Sequence, residues 1–184
     1  KYIKDISKVG KEGYEGYSLF AGTAWLFSDQ ALNQKLDYLF IDEAGQVSIA
    51  NTLAMCTSTK NIILIGDQMQ LSQPIKGTHP GIAGKSSLEY LLEGYDTIPA
   101  EKGIFLNETR RLNKNICEFI SSSFYESRLK PHPVTSERYV KLNLDNIKDE
   151  GINFIPMYHE NNTQKSIEET DYIKDLIGKI IGKR

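Results

Sequence analysis

Cysteine is nearly absent: the 184 residues hold only Cys56 and Cys117, far apart and each beside apolar neighbours. The three histidines, His79, His132 and His159, are just as scattered. A structural zinc site needs clustered Cys or His ligands, so neither zinc nor a structural disulfide is expected. Both thiols read as small core residues of a reduced, cytoplasmic protein. No charge of one sign prevails either, with 22 Lys and Arg against 24 Asp and Glu, a net of -2. That argues against a protein that merely coats nucleic acid, but it leaves room for one basic channel, because net charge averages over faces. Apolar runs such as Asn61 to Gly66 fall far short of the roughly 20 residues that span a bilayer, and no signal peptide opens the chain. An initiator Met is lacking as well, so the chain is expected to begin inside a longer protein. Repeats and low-complexity tracts are missing.

What is present is an alternation of apolar runs and amphipathic stretches. Tyr17 to Ala21, Leu36 to Ile41, Asn61 to Ile65, Ile104 to Leu106 and Ile152 to Met157 read as strands. Leu36 to Ile41 suits a parallel strand covered on both faces. Val47 to Cys56 reads as a helix, and Ser86 or Ser87 can cap a short one over Leu88 to Leu92. Leu112 to Tyr125 places Ile116, Phe119, Ile120 and Phe124 on one helical face, and Ser166 to Ile181 turns Ile167, Ile173, Ile177 and Ile180 inward. Pro74, Gly77, Pro80, Gly81 and Gly84 mark residues 72 to 85 as a loop, and Lys130 to Pro133 breaks the chain again. Strands alternating with helices indicate an α/β fold with a parallel sheet, whose ligands bind off the carboxyl ends of the strands.

Two of those strands end in acidic motifs. Asp42 and Glu43 follow the first. Such a pair can divide two tasks: Asp42 holds Mg²⁺, while Glu43 orients or deprotonates the water that attacks a γ-phosphate. A solvated strand end is the ordinary reading of a bare Asp-Glu pair. The second end is Gly66-Asp-Gln-Met-Gln-Leu-Ser-Gln-Pro74. Gly66 allows a sharp turn beside a ligand, and Gln70, both donor and acceptor, can contact a γ-phosphate or the attacking water. A polar turn would be the plain alternative. Spacing favours function, because one helix-length crossover between the strands brings both ends to one edge of the sheet. Farther on, Arg110 and Arg111 stand just ahead of the Leu112 to Tyr125 helix. There an arginine can stabilise charge on a transferring phosphoryl group, although a surface pair bonded to carboxylates is the plain reading.

As a set, these segments closely resemble superfamily 1 helicases, particularly the branch that includes the nonsense-mediated-decay helicases. Phe40 to Gly45 resembles motif II and Ile65 to Pro74 motif III. Thr109-Arg-Arg-Leu112, with the helix after it, resembles motif IV, and Gly22 to Ser28 the nucleic-acid-contacting motif Ic. The similarity runs from about residue 17 to 175. A narrower resemblance joins Gly22 to Phe27 and Gly77 to Pro80 to bacterial proteins that fuse a RecB-like nuclease to such a helicase. The resemblance implies a partial RecA-like fold of the P-loop NTPase type, with residues 1 to 105 closing a first domain and 106 to 184 opening a second. It implies ATP and Mg²⁺, with Asp42 on the cation, Glu43 as base, Asp67 and Gln70 on the nucleotide, and Arg111 as arginine finger. Gly22, Thr23 and Pro74 would meet single-stranded nucleic acid, with DNA favoured over RNA. Relatives often carry an aromatic residue where Arg110 stands, which puts adenine stacking there in question.

A Walker A loop is lacking. Gly81-Ile-Ala-Gly-Lys-Ser86 comes nearest, but His79 occupies the position of its first Gly, Pro80 removes an amide from the cradle, and no strand leads in. Motifs V and VI are not found either, so the chain is expected to be a central piece of the motor. Two rivals remain. No Asp or Glu is followed two residues later by Lys, which speaks against nuclease chemistry in this segment. A degenerate domain that binds nucleic acid or a partner without hydrolysis need not keep Asp42, Glu43, Gln70 and Arg111 together. The isolated chain is expected to bind nucleotide weakly or not at all and to be inactive; a clear ATPase rate, abolished by Glu43→Gln, would overturn this.

Overall fold

Parallel pairing of two apolar runs organises the first half of the molecule. The computed structural model describes Tyr14 and residues 16–71, 77, 79–140, 142 and 144–181, which form two compact units, Lys1–Gly103 and Ile104–Arg184. In the first unit β1 (Leu36–Ile41) pairs in parallel with β2 (Thr59–Leu64), Leu36 opposite Thr59 and Ile41 opposite Leu64. The crossover between them carries α2 (Ile49–Cys56), capped by the Ser48 hydroxyl, which accepts the Asn51 N–H. Ahead of β1 lie the single-turn helix α1 (Ala24–Phe27) and a 3₁₀ turn (Gln30–Leu32) capped by Asp29. After β2, a 3₁₀ turn (Gly81–Gly84) leads into α3 (Ser87–Leu91). Ser86 and Glu89 close a reciprocal capping box there, and Lys85 pairs with Glu93 at 2.9 Å. Gly81 to Ser86 is thus a turn before a helix cap, as its sequence suggests.

The core of this unit is one cluster: Leu26, Phe27, Leu32, Leu39, Ile41, Ala44, Met55 and Leu88. Side chains alternate across a strand, so Leu39 and Ile41 enter that cluster while Tyr38 and Phe40 point away and are exposed. The expectation of strands covered on both faces therefore fails among the described residues, because the residues of α1, α2 and α3 in the cluster gather on the Leu39 and Ile41 side. Tyr17 to Ala21 is irregular rather than a strand; Phe20 instead packs edge-on to Tyr14 and Tyr17.

The second unit opens with β3 (Glu108–Thr109), which pairs in parallel with β4 (Lys130–Pro131). Between them runs α4 (Lys114–Phe124), capped by the Asn113 side chain, and after β4 comes a 3₁₀ turn (Pro133–Thr135). The buried stripe of α4 is rotated from the expected one: Cys117 and Ser121 are buried, while Phe119 and Phe124 are exposed. Small residues at this i, i+4 pair let the returning chain approach, so that the Cys117 thiol meets the Leu129 carbonyl at 3.8 Å. Burial pushes the Cys117 thiol up, with the Glu118 charge adding to it, and pushes Cys56 up as well. Both therefore stay protonated and unreactive at neutral pH. The last helix, α5 (Ile167–Ile181), also turns a different face than expected. Of the four isoleucines expected inward, Ile167, Ile173 and Ile177 are exposed and Ile180 is half-buried, while Tyr172 and Leu176 line a groove with Leu144 and Ile147. Ile104 to Leu106 and Ile152 to Met157 form no strand, as neither finds a pairing neighbour among the described residues. No described helix is long and apolar enough to cross a membrane.

Leu32 is 1% exposed, whereas Trp25, on the adjacent helical turn, is 87% exposed. Leu32→Ala should cost about 2–5 kcal/mol of folding stability through lost burial and the cavity left behind. Trp25→Ala should stay within about 0.5 kcal/mol. Urea unfolding of the two variants checks the contrast.

Candidate nucleotide site at two strand ends

The parallel ladder does not stop where β1 and β2 end. The Ile65 N–H donates to the Ile41 carbonyl and the Ala44 N–H to the Ile65 carbonyl, both at 2.9 Å. Residues 42–45 and 65–67 thereby run against each other beyond the sheet edge. Glycine makes this possible. A Cβ on Gly45 would stand 2.2 Å from the Asp67 carbonyl oxygen, and one on Gly66 would stand 2.7 Å from the Ala44 nitrogen. Both obstacles are backbone, so no rotamer change could relieve them.

Glu43 sits at φ +52°, the left-handed region that a residue with a Cβ seldom adopts. Three bonds hold it there. Its N–H donates to Asp42 Oδ1 at 3.0 Å, its carbonyl accepts the Gln46 N–H at 2.8 Å, and the next residue is tied to Ile65. The result turns the carboxylates of Asp42 and Glu43 to solvent while Ala44 and Gly45 are buried beneath them. Strain of this kind persists only where surrounding bonds over-determine it, and it concentrates at functional sites.

The second loop is braced from within. Asp67 Oδ1 accepts the Met69 N–H at 3.0 Å and Oδ2 accepts from Gln70 Nε2 at 3.2 Å. Gln68 Nε2 donates to the Asp96 carbonyl at 2.8 Å, tethering the loop to the chain after α3. Sequence reading missed that tether, because nothing in residues 92 to 98 signals it.

The other candidates lie on other segments of the chain or beyond the described residues. Gly22 and Thr23 immediately precede α1; both are exposed, and Thr23 makes no side-chain cap bond. Pro74 lies outside the described residues. Arg111 belongs to the second unit, with an exposed side chain. Its backbone is held on both sides: the N–H donates to Thr109 Oγ1 at 3.2 Å, and the carbonyl accepts from Arg138 Nη1 at 3.3 Å. Thr109 also accepts the Leu112 N–H, a hydroxyl-closed turn that sequence could have shown, since Thr favours such turns. Arg110 faces His132 Nε2 at 3.1 Å.

The first unit's residues fit a nucleotide with its cation in part. Asp42 offers a solvent-facing carboxylate with one oxygen engaged by a backbone N–H. Among the described residues no three His, Cys, Asp or Glu gather to hold a metal by themselves. Magnesium, however, takes one or two carboxylates and completes its shell with phosphate and water.

Over 149 residues, 81% of its length, the chain is 29% identical to the DNA polymerase alpha-associated DNA helicase A of Schizosaccharomyces pombe. The chain is similar to helicases. It is also 29% identical over 142 residues, 76% of its length, to the ATP-dependent helicase NAM7 of Saccharomyces cerevisiae. Against the 3'-5' exoribonuclease HELZ2 of Mus musculus it is 28% identical over 134 residues, 70% of its length. These likenesses support the superfamily 1 helicase branch. The matched region spans 21%, 14% and 4% of those three proteins, in the order given. No family model matches the chain.

Two substitutions at neighbouring positions should act in opposite directions. Gly45→Ala drives a methyl group into the Asp67 carbonyl and should cost about 1–3 kcal/mol. Glu43→Gly relieves a left-handed residue and should raise stability by about 1 kcal/mol. Thermal unfolding of both variants tests the interlock and the strain together.

Proposed function

We propose that this chain is part of an ATP-dependent superfamily 1 helicase with RecA-like domains, coupling ATP hydrolysis to movement on single-stranded nucleic acid. The observation that carries the reading is the interlock of residues 42–45 with residues 65–67, which places Asp42, Glu43 and the Asp67–Gln70 brace at one sheet edge. A strand edge that spends two glycines and a left-handed glutamate on exposing carboxylates is built for chemistry rather than for stability.

In this reading ATP is the substrate. Asp42 holds Mg²⁺, which when bound neutralises charge on the phosphates. Glu43 accepts a proton from the attacking water, and its fixed backbone keeps the carboxylate at the strand end. Gln70 contacts the water or the γ-phosphate, and Asp67 lies on the same loop. Arg111 supplies positive charge to the transferring phosphoryl group, on a turn closed by Thr109. Gly22, Thr23 and Pro74 serve the nucleic-acid strand. DNA is the favoured strand, supported by the name of the fission-yeast relative and by the resemblance to nuclease-fused helicases. A RecB-like nuclease in the same polypeptide would accompany that narrower reading.

The full-length protein tests it. Glu43→Gln should lower kcat for ATP hydrolysis roughly 10²–10⁴-fold while nucleotide still binds. Arg111→Ala should lower it by about 10³-fold. Unwinding is measured on matched DNA and RNA duplexes. Activity on RNA alone would sink the preference for DNA, and strand binding without ATP hydrolysis would make the protein a binding module.

A further inference from the structure

We propose that Asp67 is a positioning residue that fixes the amide of Gln70, so that Gln70 meets the reaction as a hydrogen-bond acceptor for the attacking water. The inference rests on the helicase reading and narrows the part Gln70 plays in it. Gln70 has two faces with opposite chemistry, an acceptor oxygen and a donor NH₂ group. A γ-phosphate, which only accepts, would call on the NH₂ face; a water aligned for attack can donate to the oxygen.

The brace decides between these faces. An ionised carboxylate has no hydrogen to give, so only the NH₂ face of Gln70 can lie against Asp67 Oδ2, at 3.2 Å. The carbonyl Oε1 therefore points the other way. Asp67 itself is anchored: Oδ1 accepts the Met69 N–H at 3.0 Å, and its own carbonyl lies where Gly45 has no side chain. A charge-assisted bond from a fixed carboxylate holds an exposed glutamine more firmly than a neutral one would. Each carboxylate oxygen accepts a bond from its own loop, which is the geometry through which Asp67 acts on Gln70. Its backbone contact with Gly45 also ties the amide's position to the segment that carries Glu43, so base and water-orienting group share one frame.

Asp67→Asn in the full-length protein is the decisive variant. Asparagine keeps the size and the Met69 contact, but it turns an N–H toward Gln70 and forces that amide over. We expect kcat for ATP hydrolysis to fall roughly 10²-fold, as for a misplaced reacting group, with KM for ATP and the thermal midpoint unchanged. Gln70→Ala should add no further loss in the Asp67→Asn background, because the two residues act as a unit. A matching rise in KM would mean that Asp67 meets the nucleotide or its cation, and multiplied losses would mean independent roles; either result overturns the proposal. Glu43→Gln, assayed alongside, separates the two readings, since full ATPase activity in that variant defeats the helicase assignment first. The side-chain amide ¹⁵N signal of Gln70 supplies a readout free of catalysis. It should shift on Asp67→Asn, and an unmoved signal would refute the pairing.

Discussion

Backbone meets backbone where Gly45 crosses Asp67, and everything at this sheet edge depends on that contact. Two parallel strands alone would end in two independent turns. Here the turns continue the ladder through Ile65 and Ala44, then close to a distance that only glycine permits. The two turns are thereby held in one frame. A displacement of Gln70 is felt at Asp67, and a displacement of the Asp67 carbonyl is felt at Gly45. The carboxylates of Asp42 and Glu43 ride on the same frame. Between Gly45 and Asp67 no flexible side chain absorbs a shift, because that contact is made by peptide groups.

Much of this edge was legible in the sequence. Apolar runs ending in Asp42-Glu43 and Gly66-Asp67, separated by one helix, could place their ends together only if the strands were parallel neighbours, and Leu36 opposite Thr59 shows that they are. The Ser86 cap was equally local, since a cap is written within four residues. What escaped the sequence depends on contacts between distant segments. The Gln68 tether to Asp96 joins two loops with no shared pattern. Periodicity ranked Phe119 and Phe124 as the inward face of α4 because they are large and apolar. The structure chose Cys117 and Ser121, where the returning chain needed space. On α5 Ile167, Ile173 and Ile177 made the same misleading appeal, while Tyr172 and Leu176 face the 144–147 segment.

The candidate site was legible as a set of residue types but not as a conformation. Glutamate at position 43 could be named as a base from its place after an apolar strand. Its left-handed backbone could not, since nothing in Ile-Asp-Glu-Ala-Gly distinguishes a turn through Glu43 from a turn through Gly45. The glycine one would choose for the left-handed role is spent elsewhere, on the close approach to Asp67. With Gly45 committed to packing, the turn falls to Glu43, and three hydrogen bonds hold it.

That division of labour has a consequence for anyone breeding sturdier variants of this protein. Ranking mutants by heat resistance alone would read position 43 backwards, rewarding residues that sit comfortably in a left-handed turn and carry no carboxylate. In the proposed mechanism, stability and chemistry compete there for one side chain. A selection scheme that does not demand turnover will drift toward well-folded molecules with an empty hand at the strand end.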